Sequence, residues 1–148
     1  MTKALVSFAS LTGNTEEMAE ILADELSSLG VDTRLEECST VLGSDFEAVD
    51  ICVVATYTYG VDAEIPDEML DLYEDLETMN LNGKVFATLG SGDHYYPKFC
   101  QSVDDFTERF LAIGAKQVGD PIKAELSPEP EDIEAIKELA QKLVNAVS

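Results

Sequence analysis

Three short, nearly unbroken apolar runs, Lys3 to Ala9, Asp50 to Thr56 and Lys84 to Gly90, constrain what this chain can fold into more than any other feature. A strand with one face in water alternates apolar and polar residues, whereas a strand that is apolar throughout needs cover on both faces. The cover is written between the runs. Apolar residues step by three or four (or one) in Met18, Leu22, Leu26, Leu29, then in Met69, Leu72, Tyr73, Leu76, in Phe99, Val103, Phe106, Phe110, Ile113, and in Ile133, Ile136, Ala140, Leu143, Val147, so each set lines one side of a helix. Two further strand candidates, Val31 to Glu37 and Gln117 to Ala124, bring the strands to five, and a shorter helix around Asp45 to Val49 links the second to the third. Strands alternating with helices predict an α/β fold: a parallel sheet with helices on both faces.

The punctuation agrees with this pattern. Gly30 and Gly114 follow apolar helical stretches and read as helix stops, while Pro66, Pro97 and Pro128 stand where helices are expected to begin. No internal repeat, low-complexity tract or linker interrupts the 148 residues, so residues 1–148 are expected to form one domain, which can bury roughly two thirds of the surface of its unfolded chain. Cys38, Cys52 and Cys100 cannot all pair with one another, and none stands in C-x-x-C or zinc-ligand spacing, so free thiols, a reducing cytoplasmic setting and no metal are expected. The N-terminus has no basic region followed by an apolar stretch, and no apolar run approaches the roughly 18 residues that span a bilayer.

Net charge is -21 with nine basic residues, which argues against nucleic acid or an anionic membrane surface as a partner and for a basic protein surface. The acids are unevenly placed. Glu36, Glu37, Asp45, Glu47, Asp50, Asp62, Glu64, Asp67, Glu68, Asp71, Glu74, Asp75 and Glu77 lie between Arg34 and Lys84 with no Lys or Arg among them. Such a stretch projects a field of one sign, although a face that merely confers solubility would look the same.

In an open parallel sheet a ligand binds beyond the carboxyl ends of the strands. After the first strand comes Ser10-Leu11-Thr12-Gly13-Asn14-Thr15, with three hydroxyls, one amide and one glycine at the start of a helix. Unpaired N–H groups at a helix start, the helix dipole and short hydroxyl side chains together suit a phosphate, though an ordinary capped turn uses the same residue types. No Lys or Arg occurs between Lys3 and Arg34, so local residues would leave the phosphate charged. The Gly-Lys-Ser/Thr ending of nucleotide triphosphatases is absent, and Gly90-Ser91-Gly92-Asp93-His94-Tyr95 fails the dinucleotide fingerprint at its sixth position. The end of the first strand lacks the acids of a receiver domain, and no cysteine is followed by Arg six positions on, as a cysteine phosphatase loop requires. After the third strand comes Thr56-Tyr57-Thr58-Tyr59-Gly60-Val61-Asp62, and after the fourth Ser91-Gly92-Asp93-His94-Tyr95-Tyr96. A loop tyrosine is commonly packing, but two aromatic loops flanking a phosphate loop could sandwich a planar ring, each stacking contact adding about 0.5–1.5 kcal/mol beyond area burial.

These segments resemble the flavodoxin family along essentially the whole chain, and the absence of a long insertion inside the fifth strand is similar to its short-chain branch. The loop from Ser10 to Thr15 matches the family's [ST]-x-T-G-N-T directly after a first strand. The resemblance implies FMN as cofactor and a three-layer fold with strand order 2-1-3-4-5. It implies that Ser10, Thr12, Asn14 and Thr15, with backbone N–H groups of the loop that Leu11 and Gly13 complete, hold the FMN phosphate. It places Tyr59 and Gly60 as inner aromatic and turn glycine, Asp93 and Tyr96 as the third loop's acid and outer aromatic, and Thr56, Tyr57, Thr58, Val61, Ser91, Gly92, His94, Tyr95, Phe99 and Cys100 around them. Val61 after Gly60, and His94 and Lys98 in the third loop, depart from the usual pattern. The implied function is a low-potential one-electron carrier that moves between neutral semiquinone and anionic hydroquinone. Its implied partners are flavodoxin reductase and acceptor oxidoreductases, and the protein is implied to be a monomer and not a stand-alone enzyme. A flavodoxin-like activator of ribonucleotide reductase, a non-redox FMN-binding module and a quinone reductase are the alternatives.

Overall fold

The structure is a computed structural model that describes residues 1–9, 13–58, 65–92 and 100–147. Its strands are β1 (Lys3–Phe8), β2 (Asp32–Glu37), β3 (Ile51–Tyr57), β4 (Val85–Gly92), β5 (Lys116–Gln117) and β6 (Ile122–Glu125); its helices are α1 (Asn14–Ser28), α2 (Gly43–Glu47), α3 (Asp67–Leu76), α4 (Gln101–Ala112) and α5 (Pro130–Val147). The strands form a parallel sheet in the order β2-β1-β3-β4-β5, with β6 also paired to β4. This is the expected 2-1-3-4-5 order.

The continuous apolar runs are explained by two cores. Along β1, Ala4 and Val6 enter a core shared with Met18, Leu22 and Leu26 of α1 and Ile136, Ala140 and Leu143 of α5. Leu5, one residue out of phase, enters the opposite core with Phe46 of α2, Met69, Leu72 and Leu76 of α3, and Phe106 and Phe110 of α4. β3 repeats the alternation, with Ile51, Val53 and Ala55 on the first side and Cys52 and Val54 on the second. Phe110 stacks on Phe86 of β4 at 4.9 Å between ring centroids and meets Phe46 edge-on at 5.6 Å, so α4 joins the sheet to α2. Burial of each such Phe or Leu side chain contributes roughly 1.5–3 kcal/mol.

Both glycine stops are observed. Gly30 (φ 89°) and Gly114 (φ 95°) end α1 and α4, the next residue donating back across the last turn: Val31 N–H to the Leu26 carbonyl and Ala115 N–H to the Phe110 carbonyl, each at 3.1 Å. Three boundaries differ from expectation. The fifth strand is two short pieces, because Gly119 turns through φ 70° and Pro121 has no N–H to donate to the edge of β4. Helix α5 begins at Pro130 and not Pro128, with the Glu129 N–H capped by the Asp132 carboxylate at 2.9 Å. Helix α2 begins at Gly43, ahead of Asp45, whose carboxylate accepts the Leu42 N–H at 2.9 Å. Pro97 lies outside the described residues.

Candidate functional site

Strand order reverses between β1 and β3: the chain leaves β1 for β2 on one side and continues to β3, β4 and β5 on the other. The helix after β1 and the loop after β3 therefore diverge to opposite faces and leave a crevice beyond the carboxyl ends of the two strands. Gly13 stands at this crevice as the N-terminal boundary of α1, at φ 91°, a conformation that a residue with a Cβ adopts only under strain. Asn14 and Thr15 follow in the first turn, where helical N–H groups have no intrahelical acceptor.

Buried hydroxyls tie the strand ends together beneath the crevice. Thr15 Oγ1 of α1 lies 2.6 Å from Ser91 Oγ of β4. The Ser91 carbonyl accepts the Thr58 N–H at 3.1 Å, and Thr58 Oγ1 accepts the Ser102 N–H at 2.9 Å from the first turn of α4. Ser102 Oγ lies 3.0 Å from Thr56 Oγ1 of β3. The hydroxyls of Thr56, Thr58 and Ser91 are thus engaged with neighbouring elements.

Tyr57 is the last residue of β3. Its half-buried ring packs against the core of α2, α3 and α4, and its hydroxyl donates to Glu68 Oε1 at 2.7 Å. Burial, then the bond to and charge of Glu68, raise the tyrosine pKa. Cys100 sits where α4 begins, fully buried and at φ 53°. Burial pushes its thiol up to about 12, against the lowering effect of Lys123, whose ammonium is held 2.7 Å from Asp104.

Of the residues expected at the site, the structure brings Gly13, Asn14, Thr15, Thr56, Tyr57, Thr58, Ser91, Gly92 and Cys100 to this end of the sheet. Ser10, Leu11, Thr12, Tyr59, Gly60, Val61, Asp93, His94, Tyr95, Tyr96 and Phe99 lie outside the described residues. Two residues were not singled out from sequence for the site: Ser102, whose partners are 44 and 46 positions away, and Glu68, 11 from Tyr57. Among the described residues no group of His, Cys, Asp and Glu could hold a metal, and no helix is long and apolar enough to cross a membrane.

The family model described as Flavodoxin matches residues 6–139. The chain belongs to the flavodoxin family. A probable flavodoxin 1 of Bacillus subtilis (strain 168) is 37% identical over 142 residues, 95% of this chain and 89% of that one. Among solved structures, Streptococcus pneumonia TIGR4 flavodoxin is 51% identical with a TM-score of 0.96, covering 99% of this chain and all of its own. A short-chain flavodoxin associated with a non-canonical PDU bacterial microcompartment is 40% identical with a TM-score of 0.96, and each chain covers the other completely. As a flavodoxin, the protein is an FMN-binding electron carrier, and carriers of this kind work with other redox proteins.

The described part of the site fits such a cofactor. A left-handed glycine opens α1 at the crevice, where helix-start N–H groups lack intrahelical acceptors, with the uncharged Asn14 and Thr15 in the first turn. That donor set suits a phosphate monoester.

Proposed function

We propose that this flavodoxin holds one FMN at the carboxyl edge of its sheet and carries single electrons at low potential between redox proteins, without catalysing a reaction of its own. The reading rests on the placement of Gly13, Asn14 and Thr15 at the strand-order reversal, with the bases of the other two site loops fastened beside them. Ser10, Thr12, Asn14 and Thr15 are the residues proposed to hold the phosphate, and Tyr59 and Tyr96 those proposed to enclose the ring. The bound FMN supplies the one-electron chemistry. The chain's own residues bind and orient it, exclude water and set the local field.

The partner-facing side of the proposal is electrostatic. Helix α3 starts at the site end of β3 and exposes Asp67, Glu68, Asp71 and Glu74, a surface suited to basic docking faces such as those of a reductase or an acceptor oxidoreductase. The proposal further takes the chain to act as a monomer, as one domain, in the cytoplasm.

Titration of the purified protein with FMN, followed by stepwise anaerobic reduction under a spectrometer, tests the reading. A yellow one-to-one complex that accepts two electrons in resolved single steps is expected. A colourless protein that ignores added FMN, or steady NADH oxidation by the protein alone, would overturn it.

A further inference from the structure

Five hydroxyl-bearing residues at the carboxyl edge are joined in one path of hydrogen bonds, two of its links between hydroxyls and two through backbone groups. It runs from Thr15 in α1 to Ser91 in β4 (2.6 Å), through the Ser91 carbonyl to the Thr58 N–H (3.1 Å), from Thr58 Oγ1 to the Ser102 N–H (2.9 Å), and from Ser102 Oγ to Thr56 Oγ1 in β3 (3.0 Å). All five residues are buried, Thr56 and Ser102 completely. Apolar side chains could fill the same volume, but hydroxyl pairs are directional and fix one relative placement of the groups they join. Here the groups joined are the start of α1, the base of the loop after β3, the end of β4 and the start of α4.

Ser102 joins α4 to the carboxyl end of β3 by two of these bonds, one through its backbone N–H and one through its hydroxyl. Its N–H and its hydroxyl grip Thr58 and Thr56, which flank Tyr57 where β3 leaves the sheet. We infer that Ser102 is a positioning residue for the FMN site: acting through Thr56 and Thr58, it sets the base of the loop after β3 against the phosphate-binding start of α1. The inference rests on the FMN reading above. An internal contrast supports it. The same helix makes another buried hydroxyl pair with the sheet, Thr107 Oγ1 with Thr88 Oγ1 at 2.7 Å, but Thr88 lies in the middle of β4 with no loop attached. The two pairs are alike in chemistry and differ in what they hold.

The test compares Ser102→Ala with Thr107→Val by FMN titration of the apoprotein, by the reduction potentials of the reconstituted protein, and by urea unfolding of the apoprotein. Each variant loses one buried hydroxyl pair, and Thr107→Val also loses the bond from Thr107 Oγ1 to the Val103 carbonyl at 2.9 Å, so both are expected to unfold at lower urea. Only Ser102→Ala is expected to bind FMN more weakly, about fivefold, and to shift the flavin potentials. Thr58→Val, which removes the acceptor of the Ser102 N–H, is expected to act in the same direction, and Thr58→Ser to recover the affinity lost in Thr58→Val. The pair of position-58 variants decides the matter if Ser102→Ala does not fold. Parental affinity and potentials in Ser102→Ala or Thr58→Val, with lowered stability, would overturn the inference and leave the FMN reading intact. Failure of the parent protein to bind FMN would overturn that reading itself.

Discussion

Tyr57 donates a 2.7 Å hydrogen bond to the carboxylate of Glu68, fastening the last residue of β3 to the first turn of α3. Burial and the Glu68 charge together raise the tyrosine pKa, so the folded protein keeps the phenol protonated at a pH where the unfolded chain, near 10, releases it. The stability this interaction contributes is therefore present in full below about pH 10 and declines as pH rises beyond that. Tyr57→Phe is expected to cost about 1 kcal/mol at pH 8, a small figure because Glu68 is exposed. The gap between variant and parent should narrow as pH is raised through 10. Urea unfolding at a series of pH values measures both, and a gap that widens would contradict the assignment.

Ser7 is fully buried in β1, and its hydroxyl is the one buried side-chain polar atom among the described residues with no hydrogen-bond partner. A hydroxyl left unsatisfied in a core costs free energy that a methyl group does not. Ser7→Ala is thus expected to stabilise the protein by about 1 kcal/mol. A lower urea midpoint for Ser7→Ala would show that the hydroxyl has a partner after all.

The sheet was legible in the sequence wherever burial on both faces leaves no polar residue to confuse the reading, as along Ile51 to Ala55. It was less legible at the edge of β4. Gln117 to Ala124 reads as one strand because Val118, Ile122 and Ala124 are apolar, yet Gly119 and Pro121 divide it, a decision of backbone conformation and not of hydrophobicity. At the site, the start of α1 was visible because Gly13, Asn14 and Thr15 are local in sequence. Ser102 was not. Its surroundings in sequence, Gln101 and Val103, give only a helix face, and its role depends on β3 residues that the fold brings to it.

Burial holds all three thiols back. Cys38 is pushed up to about 11, by burial first and then by Glu68 and Glu37, while burial pushes Cys52 and Cys100 up to about 12. At pH 8 this leaves about one thiolate in a thousand or fewer. With a chromogenic disulfide reagent the native protein is expected to react only as fast as it opens, and all three thiols should react on mixing in denaturant. A thiol that reacts equally fast in both states would contradict the burial found for that cysteine.

The acidic face of α3 predicts how association responds to salt. Exposed charges are screened over roughly 10 Å at 0.1 M ionic strength, so electron transfer to a basic redox partner should slow as salt is added. Replacing Asp67 and Asp71 by Lys should slow it at low salt and flatten its salt dependence, while Glu68 stays in place to hold Tyr57. Stopped-flow rates that do not change with salt in the parent protein would contradict a docking role for this face.

Gly13 and Gly30 allow the cost of a strained backbone to be separated from its use. Both sit in the left-handed region, at φ 91° and 89°, and a Cβ built on either meets no atom within 4 Å. Holding an Ala in that conformation should therefore cost a similar amount at either position, about 1–2 kcal/mol, set by backbone conformation and not by a clash. The two positions lie at opposite ends of α1: Gly30 closes the helix and Gly13 opens it at the crevice. In Gly13→Ala the chain can relieve its strain by turning away from φ 91°, which also turns the N–H groups at the start of the helix, and FMN binding must then restore the strained form. Gly13→Ala is expected to bind FMN about five- to thirtyfold more weakly than the parent, the same 1–2 kcal/mol read as affinity. Gly30→Ala should match the parent in affinity while losing stability. Equal FMN affinity in Gly13→Ala and the parent would show that the helix start does not need this backbone conformation to hold the phosphate, and the donor set would have to be sought elsewhere on the loop.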